Sequence, residues 1–185
     1  MFKARNIAFG ILIVFFFTLV LVFLSSRPIP TKKPMISDST PEGYIKAEVK
    51  DLQISASGGV ISIGGDESEK VLQIHIGMDQ AHTLVRVMNN LSSKRPMTHD
   101  LLDEILKKSG TDIVYISVDK FEAGTFFATI VVRDGEVKKL DARPSDSIII
   151  ALMRGAPIYV KKDLLEVSGV APGQKEVQRE VARSV

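Results

Sequence analysis

Apolar and polar positions alternate along much of the chain after an unbroken apolar run near the N-terminus. The alternation begins at Tyr44 and changes phase near Asp51, which predicts a strand with a bulge. Glycine pairs at 58–59 and 64–65 predict turns into two further strands, around 60–63 and 71–76. Apolar and β-branched residues predict four more strands, at 113–118, 125–133, 136–140 and 156–160.

Helical spacing of apolar residues predicts helices at about 79–91, 98–108 and 144–154, and residues 162–167 are expected to form a short helix or a turn. Thr98 is expected to cap its helix, and Pro144 to occupy the first helical position. The helix after Pro144 has no polar face, so we expect it to be buried. Gly110 and Gly155 are expected to end two of the helices. This order of elements predicts an α+β domain with a largely antiparallel or mixed sheet and two to three packed helices.

The N-terminal apolar run extends from Ile7 to Leu24. As a helix it would be about 27 Å long, close to the roughly 30 Å of a bilayer core, and it predicts one transmembrane anchor. A cleaved signal peptide is the alternative. Basic residues flank the run on both sides, so the side of the membrane stays open. We therefore expect an anchor at 1–24, a proline-rich linker at 25–43, a folded domain at 44–170 and a polar tail at 171–185.

The amino-acid composition excludes several classes of function. The chain has no cysteine, which excludes disulfides, thiolate metal sites and thiol or thiol-redox enzymes. The formal net charge is +2, but the predicted domain holds slightly more acidic than basic residues. Any surface that binds nucleic-acid phosphates must therefore be local.

A polar group leads directly into the buried helix. Asp141, Arg143 and Asp146 occupy its entry, and His99 and Asp100 lie at the start of the helix before it. Helix N-termini favour anions and polarised groups. A purely structural role is the alternative, in which Asp141 pairs with Arg143 and the two helix-start aspartates complement the helix dipole.

Four stretches, in matching order and spacing, resemble the bifunctional nuclease domain family: Thr98-His99-Asp100-Leu101-Leu102, Gly124-Thr125-Phe126-Phe127-Ala128, Asp141-Ala142-Arg143-Pro144-Ser145-Asp146 and Gly155-Ala156-Pro157-Ile158-Tyr159-Val160. The resemblance runs from about Tyr44 to Val167. It implies a small α+β domain that forms oligomers and degrades DNA and RNA. Gln80 departs from the glutamate usual in the family, and the apolar N-terminus is also unusual for it.

Phosphodiester hydrolysis needs an activated water, a proton for the leaving oxygen and charge neutralisation. We hypothesise that His99 handles the proton and Arg143 stabilises the transition state. Lys94 and Arg95, in the loop before the His99 helix, are candidates for holding a nucleic-acid strand. Carboxylates that bind Mg²⁺ or Mn²⁺ are a common solution, and the candidate ligands are Asp100, Asp141 and Asp146.

Two functions remain open at this stage. The first is a membrane-anchored nuclease acting on DNA or RNA. The second is a non-catalytic, membrane-tethered module that forms homo-oligomers through strand edges or the apolar stretch around Phe126 and Phe127.

Overall fold

The computed structural model describes residues 40–66 and 68–173, which form seven strands and four helices. The strands are β1 (Tyr44–Ser55), β2 (Gly58–Gly64), β3 (Leu72–Ile76), β4 (Asp112–Glu122), β5 (Thr125–Asp134), β6 (Glu136–Ala142) and β7 (Ile158–Lys161). The helices are α1 (Met78–Met88), α2 (Thr98–Ser109), α3 (Pro144–Arg154) and α4 (Lys162–Ser168). The predicted α+β class is confirmed, although two to three packed helices were too few. The short α4 also packs, because Leu164 and Leu165 are buried.

The strands form one sheet in the order β3-β2-β1-β7-β4-β5-β6. All neighbours are antiparallel except β4 and β7, which are parallel, so the sheet is mixed as predicted. The predicted bulge in β1 appears as a register shift between Val49 and Asp51. Residues 44–47 pair with β7, whereas β1 pairs with β2 from Glu48 onward. β1 therefore joins the two halves of the sheet.

Helix α3 lies at the centre of the packing. It contacts β4 and β5 of the sheet and both α1 and α2. Ile148, Ile149 and Ile150 are fully buried, as its apolar sequence predicts. Pro144 starts the helix, and Gly155 ends it with a left-handed φ of 62°. Each buried isoleucine stabilises the fold by about 1.5–3 kcal/mol, so the core holds the α3 N-terminus firmly in place.

Hydrogen bonds between polar side chains link the strands β1, β4 and β5. Asp119 accepts hydrogen bonds from the Tyr44 hydroxyl at 3.0 Å and from the Thr129 hydroxyl at 2.6 Å. Burial, and then the hydrogen bond to Asp119, raise the pKa of Tyr44 to about 12. Because β7 lies between β1 and β4, the contact from Tyr44 to Asp119 reaches across β7, and Asp119 lies at the β4 irregularity between Val118 and Lys120.

The predicted anchor at Ile7–Leu24 lies outside the described residues, as do most of the linker and the tail. Within 40–66 and 68–173, none of the helices combines the length and the apolar character needed to cross a bilayer.

Candidate functional site

The first turns of α2 and α3 meet because the two helices pack against each other. Each helix has an aspartate at its third position, Asp100 in α2 and Asp146 in α3. The contact between the turns is made by His99 and Asp146, whose Nε2 and Oδ1 atoms are 3.2 Å apart. These residues are 47 positions apart in the sequence, so only the fold brings them together.

Asp146 is shared between two partners. Its Oδ1 faces His99, and its Oδ2 accepts a hydrogen bond of 2.7 Å from Nε of Arg143. The His99 side chain is 11% exposed and that of Asp146 is 27% exposed, whereas the Arg143 side chain is 70% exposed. These three residues, His99, Asp146 and Arg143, form a cluster that extends from a nearly buried imidazole to a guanidinium in solvent.

This arrangement supports acid–base chemistry on an anionic substrate. A carboxylate beside an imidazole nitrogen fixes the orientation of the ring and stabilises its protonated form. The hydrogen bond to Asp146 uses Nε of Arg143, which leaves the terminal nitrogens of this exposed side chain to form a fork onto a phosphate.

Asp100 has a different environment from Asp146. Its Oδ2 accepts a hydrogen bond of 2.9 Å from the Met97 backbone N–H, and its Oδ1 accepts one of 2.7 Å from Arg86. Burial is the largest influence on the pKa of Asp100 and raises it. Hydrogen bonds from Met97, Arg86 and Ser93, together with the Arg86 charge, outweigh burial and lower the pKa below the ordinary value. Asp100 therefore stabilises the start of α2.

The expected N-cap at Thr98 is wrong by one residue. Met97 is the N-cap, and Thr98 is the first helical residue. The reason is that Asp100 reaches back to the Met97 N–H, which satisfies the helix start without the threonine hydroxyl.

Arg86 lies on the same flank of α1 as His82, and its position in the sequence favoured a solvated face over a ligand role. Its side chain is only 16% exposed, and it also donates to the Leu91 carbonyl at 3.3 Å. Its Nε is buried and has no hydrogen-bond partner among the described residues. Its position beside the apolar stripe of α1 was the available signal, but its partner lies 14 residues away.

The other predicted site residues lie apart from this contact. Asp141 is an exposed β6 residue in register with Thr129, so it shares a sheet face with Thr129 rather than with Ala142 and α3. Lys94 and Arg95 are exposed in the loop before α2. Gln80 lies in the first turn of α1 and is half-buried.

The predicted metal ligands do not form a ready-made site. In the part of the chain that the structure describes, no group of three or more histidine or acidic side chains could hold a metal ion. Asp100 and Asp146 are both engaged by arginines, so a cation would have to displace those partners. Metal dependence therefore stays a prediction, and no chemical step is assigned to a metal.

The fold and this cluster define an α+β domain with a histidine–aspartate–arginine contact between two helix starts. A family model described as the bifunctional nuclease domain matches residues 63–172, and the chain belongs to this family. It is also 33% identical over 102 residues to uncharacterized proteins from two strains of Mycobacterium tuberculosis, CDC 1551 and H37Rv. The match covers 55% of this chain and 61% of each relative.

Proposed function

We propose that the protein is a membrane-anchored nuclease that hydrolyses phosphodiester bonds in DNA or RNA. The family is named for nuclease activity, which supports the reaction class. The observation that carries the proposal is Asp146, shared between the nearly buried His99 and the exposed Arg143. The proposal is supported by the fact that an imidazole and an exposed guanidinium share one carboxylate, because these groups can transfer a proton and bind a phosphate.

In the proposed reaction, a water oxygen attacks phosphorus and the ester P–O bond breaks. His99 accepts the proton of the water, and the imidazolium that forms then donates this proton to the leaving oxygen. Asp146 stabilises the imidazolium that forms, while Arg143 neutralises charge on the non-bridging phosphate oxygens.

A requirement for Mg²⁺ or Mn²⁺ is the second element of the proposal. Carboxylate oxygens are the ligands these ions prefer. Of the three predicted donors, this proposal retains Asp141 and Asp146, because Asp100 is already bonded to the Met97 N–H and to Arg86. The ion pair of Asp146 with Arg143 opposes metal binding, so chelation is the informative test. Loss of activity in EDTA that returns with Mg²⁺ or Mn²⁺ supports the requirement, and full activity in EDTA removes it.

The catalytic proposal is tested with the purified full chain and labelled DNA and RNA oligonucleotides. Changing His99→Ala is expected to lower the cleavage rate about 100- to 10,000-fold, the usual contribution of a general acid–base group. His82→Ala is the matched control, because His82 is an exposed histidine on α1 outside the cluster. Equal rates for the wild type and His99→Ala would remove the proposal.

Anchoring through Ile7–Leu24 is the third element, and it rests on the apolar sequence. We expect the full chain to stay in the membrane fraction after alkaline carbonate extraction, and a chain lacking residues 1–24 to be released. Protease treatment of intact cells and of inverted vesicles then decides on which side the domain lies. Release of the full chain by carbonate would contradict the anchor.

A second candidate function is a homo-oligomeric interaction module. It is favoured by exposed apolar residues on α2 and at its N-cap, the α2 apolar surface, which are 39–54% exposed: Met97, Leu101, Leu102 and Ile105. Met97, Leu101 and Ile105 are four residues apart and so lie on one face of the helix, and exposed apolar patches are typical of protein interfaces. Phe126 and Phe127, which the sequence suggested for this role, are only half-exposed.

Oligomerisation is measured by sedimentation of the detergent-solubilised chain. We expect the double change Leu101→Ser and Ile105→Ser to shift an oligomer to monomer, because both side chains lie on the α2 apolar surface. Val137→Ser is the control, since Val137 is 58% exposed but lies on β6. A monomeric wild type would exclude this role for the surface.

A further inference from the structure

The β4–β5 hairpin extends beyond its neighbours in the sheet. β7 pairs with β4 only at residues 116–118, and β6 ends where Ala142 pairs with Ala128. Residues 120–127 therefore form a two-stranded projection. The turn is tight, with left-handed φ angles of 47° at Ala123 and 78° at Gly124.

An aromatic pair occupies one face of this projection. Phe121 and Phe126 are cross-strand partners, and their ring centroids are 4.5 Å apart at an interplanar angle of 44°. Phe126 packs against the hydrophobic core, whereas Phe121 is 44% exposed. The inner ring thus holds the outer ring in place while leaving it accessible.

The pair lies at the same end of the sheet as the cluster. Ala128 is in register with Ala142, the residue before Arg143. Phe126 is two residues from Ala128, or about 7 Å along the strand. Phe126 also shares the core side of the sheet with Ala128, against which α3 packs. The exposed Phe121 ring and the exposed Arg143 guanidinium therefore lie at the same end of the sheet.

A basic side chain also lies at this end of the sheet. Lys120 does not provide it, because Lys120 forms an ion pair with Glu122 at 2.8 Å and lies with Phe127 on the opposite face from Phe121. Arg143, whose side chain is 70% exposed, provides the positive charge on a domain that is slightly acidic overall. Exposed aromatics beside basic groups are the features with which proteins bind unpaired bases and their phosphates.

We propose that this end of the sheet selects single-stranded nucleic acid, with one base stacked on Phe121 and an adjacent phosphate at Arg143. The inference rests on the proposed nuclease function and specifies its substrate. A duplex keeps its bases stacked on one another, so it offers no free ring face to Phe121. Single strands and loops therefore bind and are cleaved in preference to duplexes.

The sequence contains no tryptophan, which makes a direct reporter available. In the full chain carrying His99→Ala to prevent cleavage, Phe121→Trp introduces a single indole at the proposed stacking position. We expect a single-stranded oligonucleotide to quench its fluorescence, and the matching duplex to leave it nearly unchanged. Equal quenching by both substrates, or quenching by neither, overturns the proposal.

Binding affinity provides the second measurement, by anisotropy of a labelled single strand. Phe121→Leu keeps an apolar side chain but removes the ring, and we expect the Kd to rise about 5- to 150-fold, the range for one stacked base. Phe121→Tyr keeps the ring and should bind within about 2-fold of its parent. Val137→Leu, on the distant end of β6, is the control. Urea unfolding of each variant verifies that the fold is retained.

The outcomes separate this inference from the proposed function. If the wild type cleaves oligonucleotides and Phe121→Leu binds single strands as tightly as its parent, the stacking site fails and the nuclease proposal stands. If single strands bind through Phe121 but nothing is cleaved, the nuclease proposal fails and the binding site stands.

Discussion

The starts of α2 and α3 place the same residue type at the same helical position with opposite consequences. Asp100 bonds to the backbone of its own helix start and to the largely buried Arg86. Asp146 bonds instead to His99 of the other helix and to the exposed Arg143. The first carboxylate is fully used in stabilising the fold, whereas the second organises two side chains that can act on a ligand.

The difference shows that a helix-start aspartate is not a functional signal by itself. A carboxylate complements the helix dipole at either position. What separates the two is the exposure of the arginine partner, 16% for Arg86 and 70% for Arg143.

The largest expected effect concerns the His99–Asp146 contact. If the two side chains act as a unit, His99→Ala and Asp146→Ala should each reduce kcat about 100- to 10,000-fold, and the double variant should be little worse than either. Single-turnover cleavage rates provide the measurement. Effects that multiply in the double variant would mean that the residues act independently.

The two arginines should differ in stability. Arg86→Ala leaves the carboxylate of Asp100 poorly compensated, and we expect a loss of about 2–3 kcal/mol in the free energy of unfolding. Arg143→Ala removes a solvent-exposed partner and should cost less than about 1 kcal/mol. Urea unfolding of both variants gives the comparison. Similar losses would show that the two ion pairs are equivalent.

The pH dependence of the free energy of unfolding should reveal how much Asp100 contributes to stability. Its pKa is lowered in the folded state, so its stabilisation is present above the unfolded-state value of about 3.9 and is lost as the pH falls through the folded pKa. The wild type should therefore lose stability more steeply than Asp100→Asn in acid below about pH 4. Parallel curves for the two proteins would show that Asp100 does not contribute.

The smallest effect is expected at Thr98. Removing a true N-cap hydroxyl costs about 0.5–2 kcal/mol, but Thr98 is the first helical residue and not the cap. Thr98→Ala should therefore change the free energy of unfolding by less than about 0.5 kcal/mol. A larger loss in the free energy of unfolding would show that the Thr98 hydroxyl does stabilise the helix start.

Local physics made much of the fold predictable. The β1 phase change predicted the bulge, and the all-apolar stretch after Pro144 predicted a buried α3. Each of these features depends on neighbouring residues in the sequence. The same is true of the left-handed helix ends at Gly110 and Gly155.

The different roles of the three aspartates were not predictable in this way. The sequence treated Asp100, Asp141 and Asp146 alike, because all three lie near helix or strand ends. Their roles depend on long-range contacts: Arg86 reaches Asp100 from another helix, and His99 reaches Asp146 across 47 residues. Asp141 differs because the strand alternation turns it to the face of Thr129.

The most direct test is to change both helix-start aspartates in the same way and measure cleavage and urea unfolding for each variant. Asp146→Asn should lose most of its nuclease activity while keeping nearly the wild-type free energy of unfolding. Asp100→Asn should keep its activity and lose stability. If Asp100→Asn is the inactive variant and Asp146→Asn cleaves at the wild-type rate, the assignment of function to the α3 start is wrong.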